Sequence, residues 1–378
     1  MISFWEKRSL VDYNYLVIGG GIVGLSTAIS IKEKVPKSSV LVVERGILPS
    51  GASTKNTGFA CFGSLTELLC DIKNMGEDQT LALVEARWLG LQRLKSRLGE
   101  KKIDYQNHGG YELLRENEAD VIHSVQSVNK ILSPLFRSDV FSERKALIRQ
   151  FGFNRKVIKN LIYNPFEGQI DTGKMMKSLT SLAQQKGVDL LTGARVLAVE
   201  RGPGAVEVRV ENILNMQPIP FRADYVAICT NAFARDLVPG MEISPGRGQI
   251  LVTSPVQDLP FKGTFHFDQG FFYFRNFGER IIFGGGRNID FDEETSYEFE
   301  VTPPVMDNLK RMLREIIIPG RDFDIVGQWA GIMGFGSERT PILKKISDRI
   351  VVGARLGGMG VAIGSRLGDQ ICELIVSG

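Results

Sequence analysis

The spacing of apolar and polar positions predicts a chain of short buried strands and amphipathic helices joined by glycine-rich turns. Residues 13–18 form an apolar run typical of a buried strand, and residues 25–34 continue as a helix. Residues 81–98 predict another helix, because their apolar positions recur every three or four residues. The apolar face of that helix is typical of core packing and comprises Leu81, Val84, Trp88, Leu91, Leu94 and Leu98.

The middle of the chain repeats this alternation of helix and strand. A helix is predicted over residues 172–185, after the capping residue Asp171, and a strand over residues 188–191. Residues 195–210 predict a hairpin that turns at a Gly-Pro-Gly sequence, and residues 225–230 predict a strand that returns to the main sheet.

The pattern changes from Arg247 onward. Four strand-like runs rich in aromatic residues follow one another, separated by turn residues, and predict an antiparallel sheet. A helix is predicted after Pro303-Pro304 and is closed by Pro319-Gly320.

Together these elements predict an α/β protein with an α+β second domain. We expect a Rossmann-like nucleotide-binding domain, interleaved with a substrate domain built on the antiparallel sheet. The chain would pass from the first domain to the second twice and return each time. The expected nucleotide-binding domain comprises residues 1–80, 151–240 and 324–378, and the expected substrate domain comprises residues 81–150 and 241–323.

The turn after the first predicted strand carries the pattern G-x-G-x-x-G at Gly19, Gly21 and Gly24. In this setting Gly19 permits a tight turn, Gly21 lets a pyrophosphate approach the backbone, and Gly24 with Ala28 lets the helix lie close to the sheet. The next predicted strand ends at Glu44, twenty residues after Gly24, where a carboxylate can accept both ribose hydroxyls and would repel a 2′-phosphate. A merely structural turn is the alternative, but strand, spacing, helix and acid together favour a dinucleotide other than NADP.

Composition narrows the class of partner. The 46 basic and 43 acidic residues leave a net charge of only +3, so no nucleic-acid partner is implied. The four cysteines lie far apart and suggest reduced thiols in the cytoplasm rather than a disulfide framework. No run of 18 apolar residues predicts a spanning helix, which leaves peripheral membrane contact open. No metal site is expected, because His108, His123 and His266 are scattered.

Three further segments carry a resemblance to a known family. The loop of residues 50–64 is rich in small and hydroxyl residues, residues 227–233 read AICTNAF, and residues 351–374 contain GGMGVAIG. With the glycine motif they resemble the D-amino-acid oxidase superfamily of FAD-dependent oxidoreductases, within its glycine oxidase, sarcosine oxidase and γ-glutamylputrescine oxidase branch. The resemblance covers nearly the whole chain, is strong in the first 60 and last 50 residues, and is vague between residues 65 and 160.

The resemblance implies a set of FAD-binding residues. The pyrophosphate would lie on the glycine motif, the ribityl chain and flavin ring on residues 53–58, and adenine against the backbone of Val196. The last helix would point its N-terminus at the flavin pyrimidine, where its N–H groups stabilise negative charge. The FAD would be noncovalent, because no cysteine lies between Gly334 and Ile350. The implied residues are Gly19, Gly21, Gly24, Glu44, Arg45, Ser53, Thr54, Lys55, Asn56, Thr57, Gly58, Val196, Thr230, Gly357, Gly358, Met359 and Gly360.

The substrate pocket is expected between the flavin and the aromatic sheet. Residues 271–274 are candidate walls, and strand alternation sends only half of them inward, Tyr273 among the candidates. Arg275 and Arg287 are candidates for binding a substrate carboxylate. The arginine that grips the carboxylate in the family's W-A-G-L-R-P segment is replaced here by Met333, and a lysine of the sarcosine branch is replaced by Ala362. An amine recognised in another way is therefore favoured over an ordinary small α-amino acid.

The resemblance implies an FAD-dependent oxidase or dehydrogenase that oxidises the C–N bond of an amine or amino acid by hydride transfer to flavin N5. No catalytic side chain is assigned, because an amine that binds neutral needs no protein base. The electron acceptor stays open, although the strand RIIFGGG lacks the lysine that activates dioxygen in the sarcosine branch.

Two alternatives stay open. The segments GGGIVGLSTA and KNTG also resemble the L-2-hydroxyglutarate dehydrogenases, so an FAD-dependent 2-hydroxy-acid dehydrogenase is one alternative. A hydroxy acid needs a base for its O–H group, and a histidine at the flavin face would favour that function. A non-catalytic, FAD-stabilised assembly or interaction protein is the other alternative, and a flavin face plugged by side chains would favour it.

Overall fold

The computed structural model describes residues 3–214 and 217–376, so the outermost residues of the expected nucleotide-binding domain and residues 215–216 lie outside the description. The strands are β1 (Asp12–Ile18), β2 (Val40–Val43), β3 (Phe59–Ala60), β4 (Gly110–Arg115), β5 (Ser142–Glu143), β6 (Ile158–Asn164), β7 (Gly168–Gln169), β8 (Val188–Leu191), β9 (Val196–Arg201), β10 (Val206–Val210), β11 (Ile219–Ile228), β12 (Ser244–Thr253), β13 (Thr264–Phe267), β14 (Phe272–Phe277), β15 (Arg280–Gly285), β16 (Ile325–Phe335), β17 (Ile342–Lys345) and β18 (Ile350–Ala354).

The helices alternate with these strands and flank them. They are α1 (Phe4–Ser9), α2 (Ile22–Lys34), α3 (Ala52–Lys55), α4 (Leu65–Met75), α5 (Glu77–Leu98), α6 (Val125–Leu132), α7 (Leu147–Gln150), α8 (Thr172–Gln185), α9 (Ala234–Leu237), α10 (Pro303–Met312) and α11 (Gly360–Val376). Short 3-10 turns cover Glu116–Ser124, Asn231–Phe233 and Arg287–Ile289, and a π turn covers Leu313–Ile317.

The first sheet is of the Rossmann type. Its central strands run in the order β18-β11-β1-β2-β8 and are all parallel. The predicted helix α8 and strand β8 have the bounds that the sequence indicated, and β9 and β10 form the predicted hairpin. Since the chain departs from β1 toward β2 on one side and returns through β11 on the other, the carboxyl ends of these strands open a crevice.

Helices α2, α5, α8 and α11 cover one face of the first sheet. Helix α2 follows β1, and the C-terminal helix α11 packs against both α2 and α5. The core between them is apolar and contains Ile29, Leu91, Leu94 and Ile371. The predicted apolar face of residues 81–98 therefore packs in the core, and the helix begins four residues earlier than predicted, at Glu77.

The second sheet confirms the change of pattern after Arg247. Its strands run in the order β16-β12-β15-β14-β13-β4-β6-β5, and the pairs from β16 to β13 are antiparallel. Alternation divides the aromatic run of β14, since Phe272 and Phe274 pack in the core while Tyr273 faces the other side. Helix α10 begins with Pro303-Pro304 as its first two residues, earlier than predicted, and closes that core from one side.

The division into two domains stays a prediction, and strand pairing bears on where its boundaries would fall. Strand β6 pairs with β4, and β16 pairs with β12, although both lie in stretches expected for the nucleotide-binding domain. We propose that the chain leaves the second sheet after β6 on the first passage and after β16 on the second.

No helix of residues 3–214 or 217–376 combines the length and apolar character needed to cross a bilayer.

A buried carboxyl group links the second sheet to α4. Glu112 of β4 is 3% exposed and accepts hydrogen bonds from the N–H and hydroxyl groups of Thr66. Burial raises the pKa of Glu112 to about 7, against 4.5 for an ordinary glutamate. Between these two pH values the folded protein keeps the proton that the unfolded chain releases, so stability falls as pH rises.

We predict that Glu112→Gln removes this loss. Relative to the wild type, the variant should gain about 1–3 kcal/mol of unfolding free energy between pH 5 and pH 8. Denaturant unfolding at the two pH values measures the difference. Glu298→Gln, at an exposed position, is the matched control and should leave the pH dependence unchanged. Equal pH slopes for Glu112→Gln and the wild type would contradict the prediction.

Candidate active site

A cavity of about 770 Å³ lies between the two sheets, at the carboxyl ends of β1, β2 and β11. It brings together most of the residues that the sequence analysis implied for the cofactor and three of those proposed for the substrate. The cavity-lining residues among them are Gly19, Gly21, Glu44, Arg45, Ser53, Lys55, Asn56, Thr57, Val196, Thr230, Gly357, Gly358, Met359, Gly360, Tyr273, Arg287 and Met333. Gly24, Thr54, Gly58 and Arg275 lie outside this lining.

The glycine turn leaves bare backbone at the end of the cavity. A Cβ on Gly24 would overlap the carbonyl oxygen of Gly19, so only glycine lets α2 lie so close to the end of β1. A Cβ on Gly21 would lie 2.8 Å from the hydroxyl oxygen of Ser53. That hydroxyl accepts a hydrogen bond from the N–H of Ile22 at 3.0 Å and so caps the first turn of α2. The N–H groups and the dipole at this helix start suit a phosphate group.

Glu44 is fixed at the end of β2 by backbone donors. One carboxylate oxygen accepts from the N–H of Gly20 at 2.8 Å and the other from the N–H of Gly46 at 2.9 Å. Each oxygen keeps a free lone pair for a ribose hydroxyl. Next to it, the guanidinium of Arg45 lies 3.7 Å from the ring centre of Phe233, and burial lowers the pKa of Arg45 from its ordinary value.

The loop of residues 51–58 forms one wall of the cavity. Thr54 and Gly58 do not line the cavity but stabilise the conformation of the loop. The hydroxyl of Thr54 donates to the carbonyl of Pro49 at 2.7 Å, and the carbonyl of Gly58 accepts from the N–H of Ile170. Trp329 of β16 donates its indole N–H to the carbonyl of Lys55 at 2.9 Å. The second sheet thus fixes the position of the loop that faces the cavity.

The C-terminal glycine motif turns the chain into α11 at the opposite wall. Gly357 and Gly358 have φ values of +56° and +84°, which glycine adopts without strain. The side-chain oxygen of Asn231 accepts from the N–H groups of Arg355 at 3.0 Å and Leu356 at 3.3 Å, so the end of β11 is tied to this turn. The hydroxyl of Thr230 is buried and has no hydrogen-bond partner within the described residues, although the residue lines the cavity.

These features fit FAD. One cavity is faced by four features that a dinucleotide needs. They are a bare glycine turn at a helix start, a fixed carboxylate at the end of the next strand, a buried hydroxyl without a partner among the described residues and a second helix N-terminus. The volume of about 770 Å³ lies within the range of small-molecule and cofactor sites.

The two candidate arginines occupy different places. Arg275 is 3% exposed and lies behind the loop, where its guanidinium approaches Gly58, and burial lowers the pKa of Arg275 to about 10. Arg287 follows β15, lines the cavity and stacks 4.0 Å from the ring centre of Phe335. Burial, then the neighbouring positive charge of Arg339, lower the pKa of Arg287.

His266 belongs to the cavity wall, which the sequence analysis missed. It is paired across the β13–β14 hairpin with Tyr273, and the ring of Phe59 touches both side chains edge-on. One ring nitrogen lies 3.2 Å from a carboxylate oxygen of Glu167, and the other lies 3.8 Å from Glu67. The sequence does contain a signal that could have placed His266 opposite Tyr273. The turn at residues 268–271 sets which residues of β13 and β14 pair.

The protonation state of His266 follows from these neighbours. Burial alone would lower its pKa, but the charge of Glu167 and hydrogen bonds with Cys61 and Glu167 raise the pKa of His266 well above 6.5. Burial raises the pKa of the Cys61 thiol to about 11, so that thiol stays neutral. Ligand atoms of Cys61, Glu167 and His266 lie within 4.8 Å of one another, a grouping that the expectation of scattered histidines did not foresee.

The fold and the site define an oxidoreductase that uses a flavin dinucleotide, and comparison with known proteins gives the family. The sequence profile described as "DAO: FAD dependent oxidoreductase" matches residues 14–374. The chain belongs to this family, which confirms the resemblance and FAD as the cofactor.

Known proteins similar to the chain are distant. It is 26% identical over 245 residues to the bifunctional protein ThiO/ThiG of Synechocystis sp., covering 62% of this chain and 32% of that protein. It is 22% identical over 256 residues to the L-2-hydroxyglutarate dehydrogenase of Escherichia coli strain K12, covering 64% of this chain and 54% of that protein. The chain thus spans about a third and about half of the length of these relatives.

Solved structures confirm the fold. The glycine oxidase of Geobacillus kaustophilus superposes with a TM-score of 0.77 at 18% identity, over 97% of this chain and 95% of that one.

We predict that Glu44→Ala weakens FAD binding by about tenfold to a hundredfold, because hydrogen bonds to a charged group are lost. Titration of the FAD-free protein with FAD, followed by flavin fluorescence, measures the affinity. Glu298→Ala is the control for a surface carboxylate. Wild-type affinity in the Glu44 variant would show that the carboxylate does not contact the ribose.

Proposed function

We propose that the protein oxidises the C–N bond of an amine or amino acid. The observation that carries this proposal is the extension of the cavity beyond the dinucleotide-binding turns to an aromatic wall of Phe271, Tyr273 and Phe291. An open space lined in this way suits a small organic substrate and argues against a plugged, non-catalytic flavoprotein. The FAD would be noncovalent, and four free cysteines support a cytoplasmic location.

Bound FAD supplies a hydride acceptor at N5. The protein would exclude water with its aromatic wall and orient the reacting C–H bond. The N-terminus of α11 supplies oriented N–H groups at residues 360–362, which stabilise negative charge that develops nearby. We propose the cavity-lining residues named above as the cofactor site, with Tyr273 and Met333 bordering the substrate.

The test is anaerobic reduction of the bound flavin. A panel of primary amines, secondary amines and amino acids should contain compounds that bleach the visible flavin absorption, and the corresponding imine or carbonyl product should form in equal amount. Oxygen consumption during turnover then distinguishes an oxidase from a dehydrogenase. A flavin that stays oxidised with every amine and amino acid would refute amine oxidation.

A 2-hydroxy-acid dehydrogenase is the second candidate, and His266 is the observation that favours it. An alcohol needs a base for its O–H proton, and this imidazole lies on the cavity wall with Glu167 behind it. Because its pKa is raised well above 6.5, the imidazole is charged at neutral pH and accepts a proton only in more alkaline solution.

For this candidate we predict a rate of flavin reduction by 2-hydroxy acids that rises with pH above 6.5. The change His266→Gln should remove that pH dependence and slow the reduction about 10²- to 10⁴-fold, the usual contribution of a general base. Stopped-flow absorbance across the pH range measures both effects. His123→Gln, at an exposed histidine, is the control. An unchanged pH profile in the His266 variant would remove the base from this candidate.

A further inference from the structure

The guanidinium of Arg287 is a charge without a counter-ion. Within residues 3–214 and 217–376 it forms no hydrogen bond or ion pair, and its contacts are with aromatic rings. The nearby acid Glu294 is already occupied, since Arg247 donates to both of its carboxylate oxygens at 3.0 Å and Gln249 donates to one of them at 2.7 Å. A half-buried cation whose acidic neighbour is engaged elsewhere favours an anion from outside the chain.

A second positive charge near Arg287 strengthens the preference for an anion. Arg339 also lines the cavity and adds to the lowering of the pKa of Arg287, but its own charge is partly balanced by Asp71 at 3.4 Å. The hydroxyl of Tyr273 lies on the same wall, and burial raises the pKa of Tyr273 to about 12, so the hydroxyl stays a neutral donor. The surroundings of Arg287 therefore attract negative charge.

The aromatic contacts fix the orientation of the guanidinium. It lies 4.0 Å from the ring centre of Phe335 and 5.0 Å from that of Phe291, and all three side chains line the cavity. Gly246 makes room for this stack, because a Cβ there would overlap Phe335 and lie 3.4 Å from the Cδ of Arg287. A guanidinium held against aromatic rings keeps its N–H edge free for a bidentate contact.

The stack lies beside the strand that carries Met333. Gly246 of β12 is the register partner of Met333 of β16, the residue at the family's carboxylate-binding position. Arg287 reaches this place from the end of β15, on the far side of β12. The guanidinium therefore lies over β12, beside the strand that carries Met333.

We propose that Arg287 binds the carboxylate of the substrate, so that the substrate is a carboxylate-bearing amine or hydroxy acid rather than a simple amine. The inference rests on the proposed function, but it concerns binding and can be tested without turnover. Loss of a bidentate, charge-assisted contact should weaken carboxylate binding about tenfold to a hundredfold.

The experiment titrates the oxidised holoenzyme with propionate and, in parallel, with propionamide, and follows the visible flavin spectrum. Propionate should perturb the spectrum at concentrations at least about tenfold lower than propionamide. Arg287→Met should remove this preference, and Arg287→Lys should keep part of it. Arg311→Met, at an exposed position on α10, is the matched control and should behave as the wild type. The FAD content of each variant is measured first, and if Arg287→Met fails to hold FAD, the lysine variant decides.

Three results would overturn the proposal. They are equal affinity of the wild type for propionate and propionamide, no spectral response to propionate, and an unchanged preference for propionate in the Arg287 variants. A failure of the proposed function has a different signature. In that case the flavin stays oxidised with every amine and hydroxy acid, whether or not propionate binds through Arg287.

Discussion

The approach of α2 to the end of β1 is the contact on which the rest of the site depends. Gly24 lies so close to the carbonyl of Gly19 that no side chain fits, and this proximity aims the first turn of α2 along the crevice. Two further walls are positioned relative to that turn, since Ser53 caps it and Glu44 is held by the N–H of Gly20. A wider separation would move the helix start, the loop and the acid together.

Hydrogen bonds from two side chains brace opposite walls of the cavity. Trp329 of the second sheet holds the carbonyl of Lys55, and Asn231 holds the turn that leads into α11. Asn231 has a φ of +50°, a left-handed conformation that asparagine tolerates better than most residues. These contacts hold the cavity between the two sheets, with the glycine turn and Glu44 on the side of the first sheet and Tyr273 on the side of the second.

The local parts of this structure could be predicted from the sequence. Helix α8 and strand β8 follow from a cap and a short apolar run, and the strand-turn-helix at Gly19 follows from its glycines, because the information lies within a few residues. Parts that depend on distant pairing could not be predicted. The sequence of β16 contains no local pattern that identifies β12 as its partner strand. His266 reaches the cavity only through the register of β13 with β14. The Arg287 stack depends on an absent side chain at Gly246, which no local pattern reveals.

The order of strands in the second sheet also limits how the site can be used. His266 lies on β13, whereas the Arg287 stack lies over β12, and β14 and β15 separate the two strands. Three strand spacings correspond to about 14 Å along the sheet, and side chains shorten this distance only in part. Tyr273 of β14 lies between the two groups, since it is the register partner of His266 and its hydroxyl would lie 3.5 Å from a Cβ at Gly248 of β12. A 2-hydroxy acid that contacted both Arg287 and His266 would have to span the part of this distance that the two side chains leave open, whereas the proposed oxidation of an amine that binds neutral calls for no base.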